Sequence, residues 1–337
     1  MSANVDAVAA SAPGSNLGIA IRRGLTDGAG VVAILYVILF TLYALWDRSA
    51  LTVSGVTNLS NNAAPLAIAA AGESLVVISK GFDLSVSGIV SLSNVLMATY
   101  PVEGPGGALV SLLICLGVGG AIGVLNGILV AILRLQSIAA TLGTMIMGQG
   151  LALVIMDAPG GTIADWVSYT LTDVLFGVIP ISGLIVLAVV ALWLVFRRTD
   201  SCIGLFAVGA DETAASLSGI SVVRARFTAF VGAGLLYGLA GFMLSVQTAT
   251  GNPSAGTPFL MLTFAAVALG GVSLTGGRGS LVGAVIGAAT LMLLQKVLFS
   301  GGVSSFYTGI FQGAVMVLAI VFGSFISRLA AFTGARA

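Results

Sequence analysis

Histidine is absent from this 337-residue chain. That removes the commonest general base and the commonest metal ligand near neutral pH. Cysteine is nearly absent too: Cys115 lies within an apolar run and Cys202 beside a charged loop. Neither has a partner at metal-ligand spacing, so they read as two isolated thiols. No catalytic residue and no metal site is assigned. Charge is equally scarce. Charged residues make up 7% of the chain, against roughly 25% in an ordinary soluble domain. The formal net charge of +1 gives no basic excess and so no sign of nucleic-acid binding, and no nucleic acid is expected as a partner. The chain also lacks a Gly-x-x-x-x-Gly-Lys-Ser/Thr phosphate loop, so ATP hydrolysis is not among its expected activities. Gly276-Gly277-Arg278-Gly279 is glycine-rich but has no following Lys-Ser/Thr, and reads as a tight turn.

What remains is apolar. Hydrophobic residues make up 58% of the chain. A surface covered by lipid needs few charges, whereas a soluble fold of this length needs many. The chain therefore reads as an all-α, multi-spanning membrane protein in contact with lipid. A helical span takes about 20 apolar residues. Apolar runs at 29–46, 62–79, 85–100, 108–133, 138–156, 179–196, 227–247, 258–275, 280–298 and 306–326 give about ten spans. The first is too long for a signal-peptide core and ends at Trp46, an interfacial residue. Lys80-Gly81-Phe82-Asp83 interrupts the second and third runs, so a broken helix is expected near residues 79–85. Backbone of that kind at membrane depth must be enclosed by protein or line a watery cavity.

Residues 1–26 read as a disordered cytoplasmic tail, 27–328 as the membrane domain and 329–337 as a second cytoplasmic tail. Basic residues fix this orientation. With both termini cytoplasmic, inner segments hold Lys80, Arg134, Arg197, Arg198, Arg224, Arg226 and Arg278, and only Arg48 and Lys296 fall at outer ends. Asp157, Asp165 and Asp173, in a loop with no lysine or arginine, then lie outside.

Polar residues inside spans need a reason, because an intramembrane charge costs about 2.5–3.5 kcal/mol on insertion scales. Glu73 either lines a polar substrate path or is satisfied by a neighbouring helix. Ser74, Asn126, Thr141, Gln149 and Gln247 are further candidates for that path, with interhelical hydrogen bonding as the alternative role. Lys80 and Asp83 would share a face on a helix and could pair; with Arg278 they form a gating or structural group. Glycine recurs as Gly119, Gly123 and Gly127, as Gly234, Gly238 and Gly241, and as Gly283 and Gly287. These read as close helix contacts rather than ligand contacts. Gly81-Phe82-Asp83-Leu84-Ser85 and Gly271-Val272-Ser273-Leu274-Thr275 hint at an internal repeat.

Between Arg197 and Arg226 lies a segment built like a short helix. Asp211 suits its N-cap and Gly219 the residue just past its end. The run Gly209, Ala210, Asp211, Glu212, Thr213, Ala214, Ala215, Ser216, Leu217, Ser218 and Gly219 reads as a docking element or an interfacial connector.

Four segments carry a family likeness. Ile78-Ser79-Lys80-Gly81-Phe82-Asp83-Leu84-Ser85-Val86, Asn126-Gly127 with Arg134 and Thr141 to Met145, Gly209 to Ile220, and Ala265 to Gly271 with Gly276 to Gly279 resemble the ribose/xylose/arabinose-type permeases. These are the inner-membrane subunits of binding-protein-dependent ATP-binding-cassette sugar importers. The resemblance implies a multi-pass permease of the bacterial inner (cytoplasmic) membrane that passes a monosaccharide or similar small polar solute into the cytoplasm. It implies two ATPase subunits, a second permease of the same or another sequence, and a periplasmic or extracytoplasmic solute-binding protein. It implies that this chain binds no cofactor, ATP and Mg being held by the ATPases, and that residues 209–219 couple to them. Glu73 stands where the family usually has Met, and Lys80 where it usually has Gly. A branched-chain amino-acid permease and a secondary transporter or channel, using Glu73 and Asp83 for a coupling ion, are the competing readings.

Overall fold

The computed structural model describes residues 28–302 and a few isolated positions up to 317. The predicted span at 306–326 and both predicted tails therefore lie outside the described residues or nearly so. Helices dominate in chain order: α1 Gly28–Trp46, α2 Val53–Ile78, α3 Val86–Thr99, α4 Gly104–Gly127, α5 Ser137–Ile155 and α6 Asp165–Thr172. A two-residue hairpin follows, β1 Val174–Leu175 and β2 Ile179–Pro180, and then α7 Ile181–Phe196, α8 Asp200–Ala210, α9 Glu212–Leu217, α10 Val222–Thr248, α11 Phe259–Leu269 and α12 Leu281–Ser300. The hairpin turns through Phe176 and Gly177, both at positive φ.

Among the described residues six helices are long and apolar enough to cross a membrane, and α7 with α8, bent by 83°, would make a seventh. Two of the predicted spans are shorter than expected. Helix α3 has 14 residues and α11 has 11, or about 21 Å and 17 Å at 1.5 Å per residue, against a hydrocarbon core of about 30 Å. Non-helical chain makes up the difference. Residues 79–85 prolong α3 at one end, where the Phe82 N–H donates to Ser137 Oγ (3.2 Å) and the Leu84 N–H to Thr141 Oγ1 (3.1 Å) at the start of α5. At its other end Ala98 sits against Gly161 and Gly251. Residues 249–258 prolong α11 at the opposite end. There the Asn252 N–H donates to Asn94 Oδ1 (2.7 Å) and the Gly256 N–H to Ser91 Oγ (3.0 Å). The two broken segments thus run side by side in opposite senses, and Phe82 of the first break meets Phe264 of α11 at 5.8 Å. The first break places open N–H groups on side chains of α5 and the second on side chains of α3, as backbone enclosed by protein at membrane depth requires. The break at residues 79–85 is the one expected from sequence; the second was missed because an apolar run does not reveal where its backbone stops being helical.

Small residues make the centre. Residues 64–78 of α2 are all buried, and an Ala-rich run lets neighbours approach on every side. Helix α10 packs on α2, α3 and α4. A methyl group on Gly119 would stand 2.0 Å from the Gly234 carbonyl oxygen, and one on Gly238 2.2 Å from that of Cys115. Gly283 and Gly287 play the same part between α12 and α11, against Gly270 and Ala266. Gly119, Gly123, Gly234, Gly238, Gly283 and Gly287 are therefore backbone-to-backbone contacts, as their spacing predicts, while Gly127 and Gly241 make room for the Phe227 and Ser93 side chains. Outside, α1 exposes Ile34, Val37, Ile38 and Leu45, the surface a lipid-facing helix should present.

Candidate functional site: a junction of three segments

One end of the molecule collects Lys80, Arg134, Arg197, Arg198, Arg224, Arg226 and Arg278, at the ends of α2, α4, α7, α10 and α11; we term it the basic end. The acidic loop of Asp157, Asp165 and Asp173 lies at the other, next to the close of α10.

At the basic end α7 turns into α8, whose first turn is capped by Thr199. Helix α9 follows at once. Asp211 Oδ1 accepts the Ala214 N–H at 2.9 Å, the predicted N-cap, and Gly219 follows the helix at φ +81°, the predicted left-handed stop. Leu217 is 86% exposed, an apolar side chain presented to solvent with no use inside this chain. Arg226 pairs with Glu212 at 2.7 Å and ties α9 to the start of α10. Ala215 is buried beneath it, so α9 is seated on the protein by one side and free on the other.

Just before α9, the last turn of α8 rests on the glycine-rich motifs. The Gly277 N–H donates to the Ile78 carbonyl at 2.9 Å, joining the segment after α11 to the end of α2. Gly209, in the last turn of α8, lies directly on that bond: a methyl group there would be 1.8 Å from the Ile78 oxygen and 2.6 Å from the Gly277 nitrogen. Gly276 rests against both Gly209 and Lys80. Gly276, Gly277 and Gly279 have positive φ, as does Lys80 at +65°, so the expected tight turn is present. The two Gly-x-x-Leu-Ser/Thr segments are thus brought to one place, along with Gly209 and Ala210 at the close of α8. Lys80 and Asp83 do not share a helix, and the expected pair is absent. Lys80 is exposed, Asp83 is fully buried, and Arg226–Glu212 is the only ion pair among the described residues. The positive φ of Lys80 explains this, since it turns the chain before the next turn of helix can form. Arg278 is exposed on the same turn.

Above the junction a buried polar network joins five elements. The Tyr237 hydroxyl of α10 donates to Glu73 Oε2 of α2 at 2.6 Å, and the Asp83 N–H approaches Glu73 Oε1 at 3.4 Å. Asp83 Oδ1 accepts the Ser85 N–H at 2.9 Å. Asn126 Nδ2 of α4 donates to Ser85 Oγ at 2.9 Å, and Thr144 Oγ1 of α5 donates to Asn126 Oδ1 at 2.8 Å. Asp83 Oδ2 has no partner. Of the two roles open to Glu73, the structure shows a neighbouring helix supplying its partner. Asp83 was named beside Glu73 from sequence, and Thr144 only as part of the Thr141–Met145 segment; Tyr237 was not singled out. An aromatic or hydroxyl residue in an apolar span carries no local mark of its partner.

The other candidates are scattered. Ser74 bonds the Ala71 carbonyl within its own helix, and Thr141 the Ser137 carbonyl as well as the Leu84 N–H. Gln149 reaches Thr257 at 3.2 Å. Gln247 bonds Asn62 Oδ1 at 2.6 Å near the acidic end, away from the network. Among the described residues no group of three metal-ligating side chains occurs.

Residues 55–320 match the family model described as "Branched-chain amino acid transport system / permease component". The ribose import permease protein of Escherichia coli K12 is 31% identical over 313 residues, which cover 89% of this chain and 94% of that protein. The ribose import permease protein of Bacillus subtilis 168 is 34% identical over 290 residues, covering 84% and 89%. The autoinducer 2 import system permease protein of Yersinia enterocolitica is 33% identical over 298 residues, covering 88% and 82%. No solved structure matches the chain.

Proposed function

The chain belongs to the family of branched-chain amino acid transport system permease components, and from that premise we propose that it is the permease subunit of an ATP-binding-cassette importer for a monosaccharide or similar small polar solute. The observation that carries the coupling half of this reading is the junction. A capped helix with an exposed leucine sits where three motif-bearing segments converge, so a partner that grips α9 acts on the end of α2, on residues 79–85 and on the turn at 276–279 together. A docked partner can bias a conformational equilibrium only through contacts that differ between the two states. The bond between Gly277 and Ile78, overlain by Gly209, is positioned to transmit such a difference.

In this account two ATPase subunits hold ATP and Mg, a second permease completes the path and an extracytoplasmic binding protein delivers the solute. The basic end faces the cytoplasm of a bacterial inner membrane, in accord with the distribution of arginine. The solute class rests on the ribose and autoinducer 2 permeases among the relatives. Leu217→Glu tests the docking role: it places a charge on the free side of α9 without touching its caps. The ATPase should fail to co-purify with this variant while the permease itself is produced at normal yield. Undiminished co-purification would remove α9 from the interface.

A further inference from the structure

One polar cavity lies outside both the junction and the buried network. Its volume is about 720 Å³, within the range of roughly 300–1,000 Å³ common for small-molecule sites. It opens near the acidic end, where the first turns of α2, the Thr172–Val174 segment and the last turn of α10 meet. Eight of its ten lining residues are polar, none is aromatic and none is a lysine or arginine. Four side-chain amides, Asn58, Asn61, Asn62 and Gln247, dominate the wall, with Asp173 the one charged group.

Asn61 shows what is missing. Its Nδ2 donates to the Thr172 carbonyl at 2.9 Å, which fixes the orientation of the amide, and its Oδ1 then has no partner. Pro65, four residues on in the same helix, has no N–H to offer the Asn61 carbonyl. A buried side-chain acceptor on a cavity residue thus lacks a donor, and the carbonyl beside it loses its usual helical one. Hydroxyl groups both donate and accept, and could satisfy such acceptors while taking hydrogen bonds from the neighbouring amides. An amino acid fits less well: its carboxylate meets Asp173 and no cation, and its side chain meets only Val53 and Val174.

We propose that this cavity is an entry subsite for a neutral polyhydroxylated solute, a monosaccharide or cyclic polyol, bound by the amides of Asn58, Asn61, Asn62 and Gln247. The inference rests on the importer reading above and assigns that reading a place of first contact at the outer end of α2.

The test uses the assembled transporter in proteoliposomes, with D-ribose, D-xylose and myo-inositol as probes and L-leucine as control. Asn58 is exposed while Cys115 and Cys202 are buried, so Asn58→Cys offers a single reactive thiol to an impermeant reagent. At least one polyol probe should slow its modification, and leucine should not. Asn61→Leu should raise the half-saturating concentration of that probe by about fivefold, the worth of roughly one neutral hydrogen bond. ATP-driven uptake of a probe by the unaltered protein, with no protection of Asn58→Cys and no change in Asn61→Leu, overturns the subsite and leaves the importer reading standing. Protection by leucine in place of the polyols overturns the ligand class. No ATP-driven uptake of any polyol probe defeats the importer reading, and the subsite with it.

Discussion

A single methyl group at Gly209 should uncouple the junction. Gly209→Ala would place its Cβ 1.8 Å from the Ile78 carbonyl oxygen and 2.6 Å from the Gly277 nitrogen. An ordinary carbon-to-oxygen contact is about 3.3 Å or longer, so one backbone must retreat by about 1.5 Å. Both atoms are main chain, and no flexible side chain can yield instead. The retreat breaks the 2.9 Å bond between Gly277 and Ile78, a loss of about 1 kcal/mol, and overpacking adds about 1–3 kcal/mol. The better helix propensity of alanine returns at most about 1 kcal/mol. The net cost is therefore about 1–3 kcal/mol, and the clash wins. Gly204 on the same helix is the control, because a methyl group there meets nothing closer than 3.5 Å. Thermal unfolding in detergent and ATP-driven uptake should both fall in Gly209→Ala and stay near normal in Gly204→Ala. Equal behaviour of the two variants would refute the three-segment junction.

Other outcomes follow from the same contacts. Asp211→Ala removes the N-cap of α9 and should cost about 1 kcal/mol locally, seen as faster amide exchange at Ala214 and weaker ATPase binding, with the rest of the fold unchanged. Gly238→Leu forces α4 from α10 at the Cys115 carbonyl, and folded protein should fall sharply in membrane extracts; normal yield and melting would show that the helices are not in backbone contact. Tyr237→Phe leaves Glu73 without its 2.6 Å partner, and an unsatisfied buried acceptor costs about 1–3 kcal/mol; thermal unfolding in detergent should shift downward, and an unchanged melt would show that this bond does not hold α2 to α10.

Much of the basic end was legible in the sequence, and for local reasons. Asp211 and Gly219 bracket α9 because capping depends on neighbours a few residues away. Gly276, Gly277 and Gly279 announce a turn because positive φ favours glycine. The glycines of α4 and α10 signalled close contact, though not with which helix. What sequence could not give was pairing at a distance. Glu73 and Tyr237 are 164 residues apart, and Asn61 faces Thr172 across 111. Nor could it give the lengths of α3 and α11. Residues 249–258 follow an apolar run and contain Asn252-Pro253, which reads as an outer turn. In the structure the chain passes from there down the flank of α3 before α11 begins. The expected pair of Lys80 with Asp83 assumed a helix that the chain does not continue. Gly209 was read as part of a docking or connecting run, and in the structure it packs without room for a methyl group against the Gly277–Ile78 bond.

The central claim is that transport through this chain is driven by an ATPase bound at α9. It is tested most directly by uptake of D-ribose, D-xylose and myo-inositol into proteoliposomes holding the permease, with and without the co-purified ATPase and binding protein. Uptake should require the ATPase and hydrolysable ATP and should be lost in Leu217→Glu. Uptake driven by an ion gradient with no ATPase present would contradict the claim.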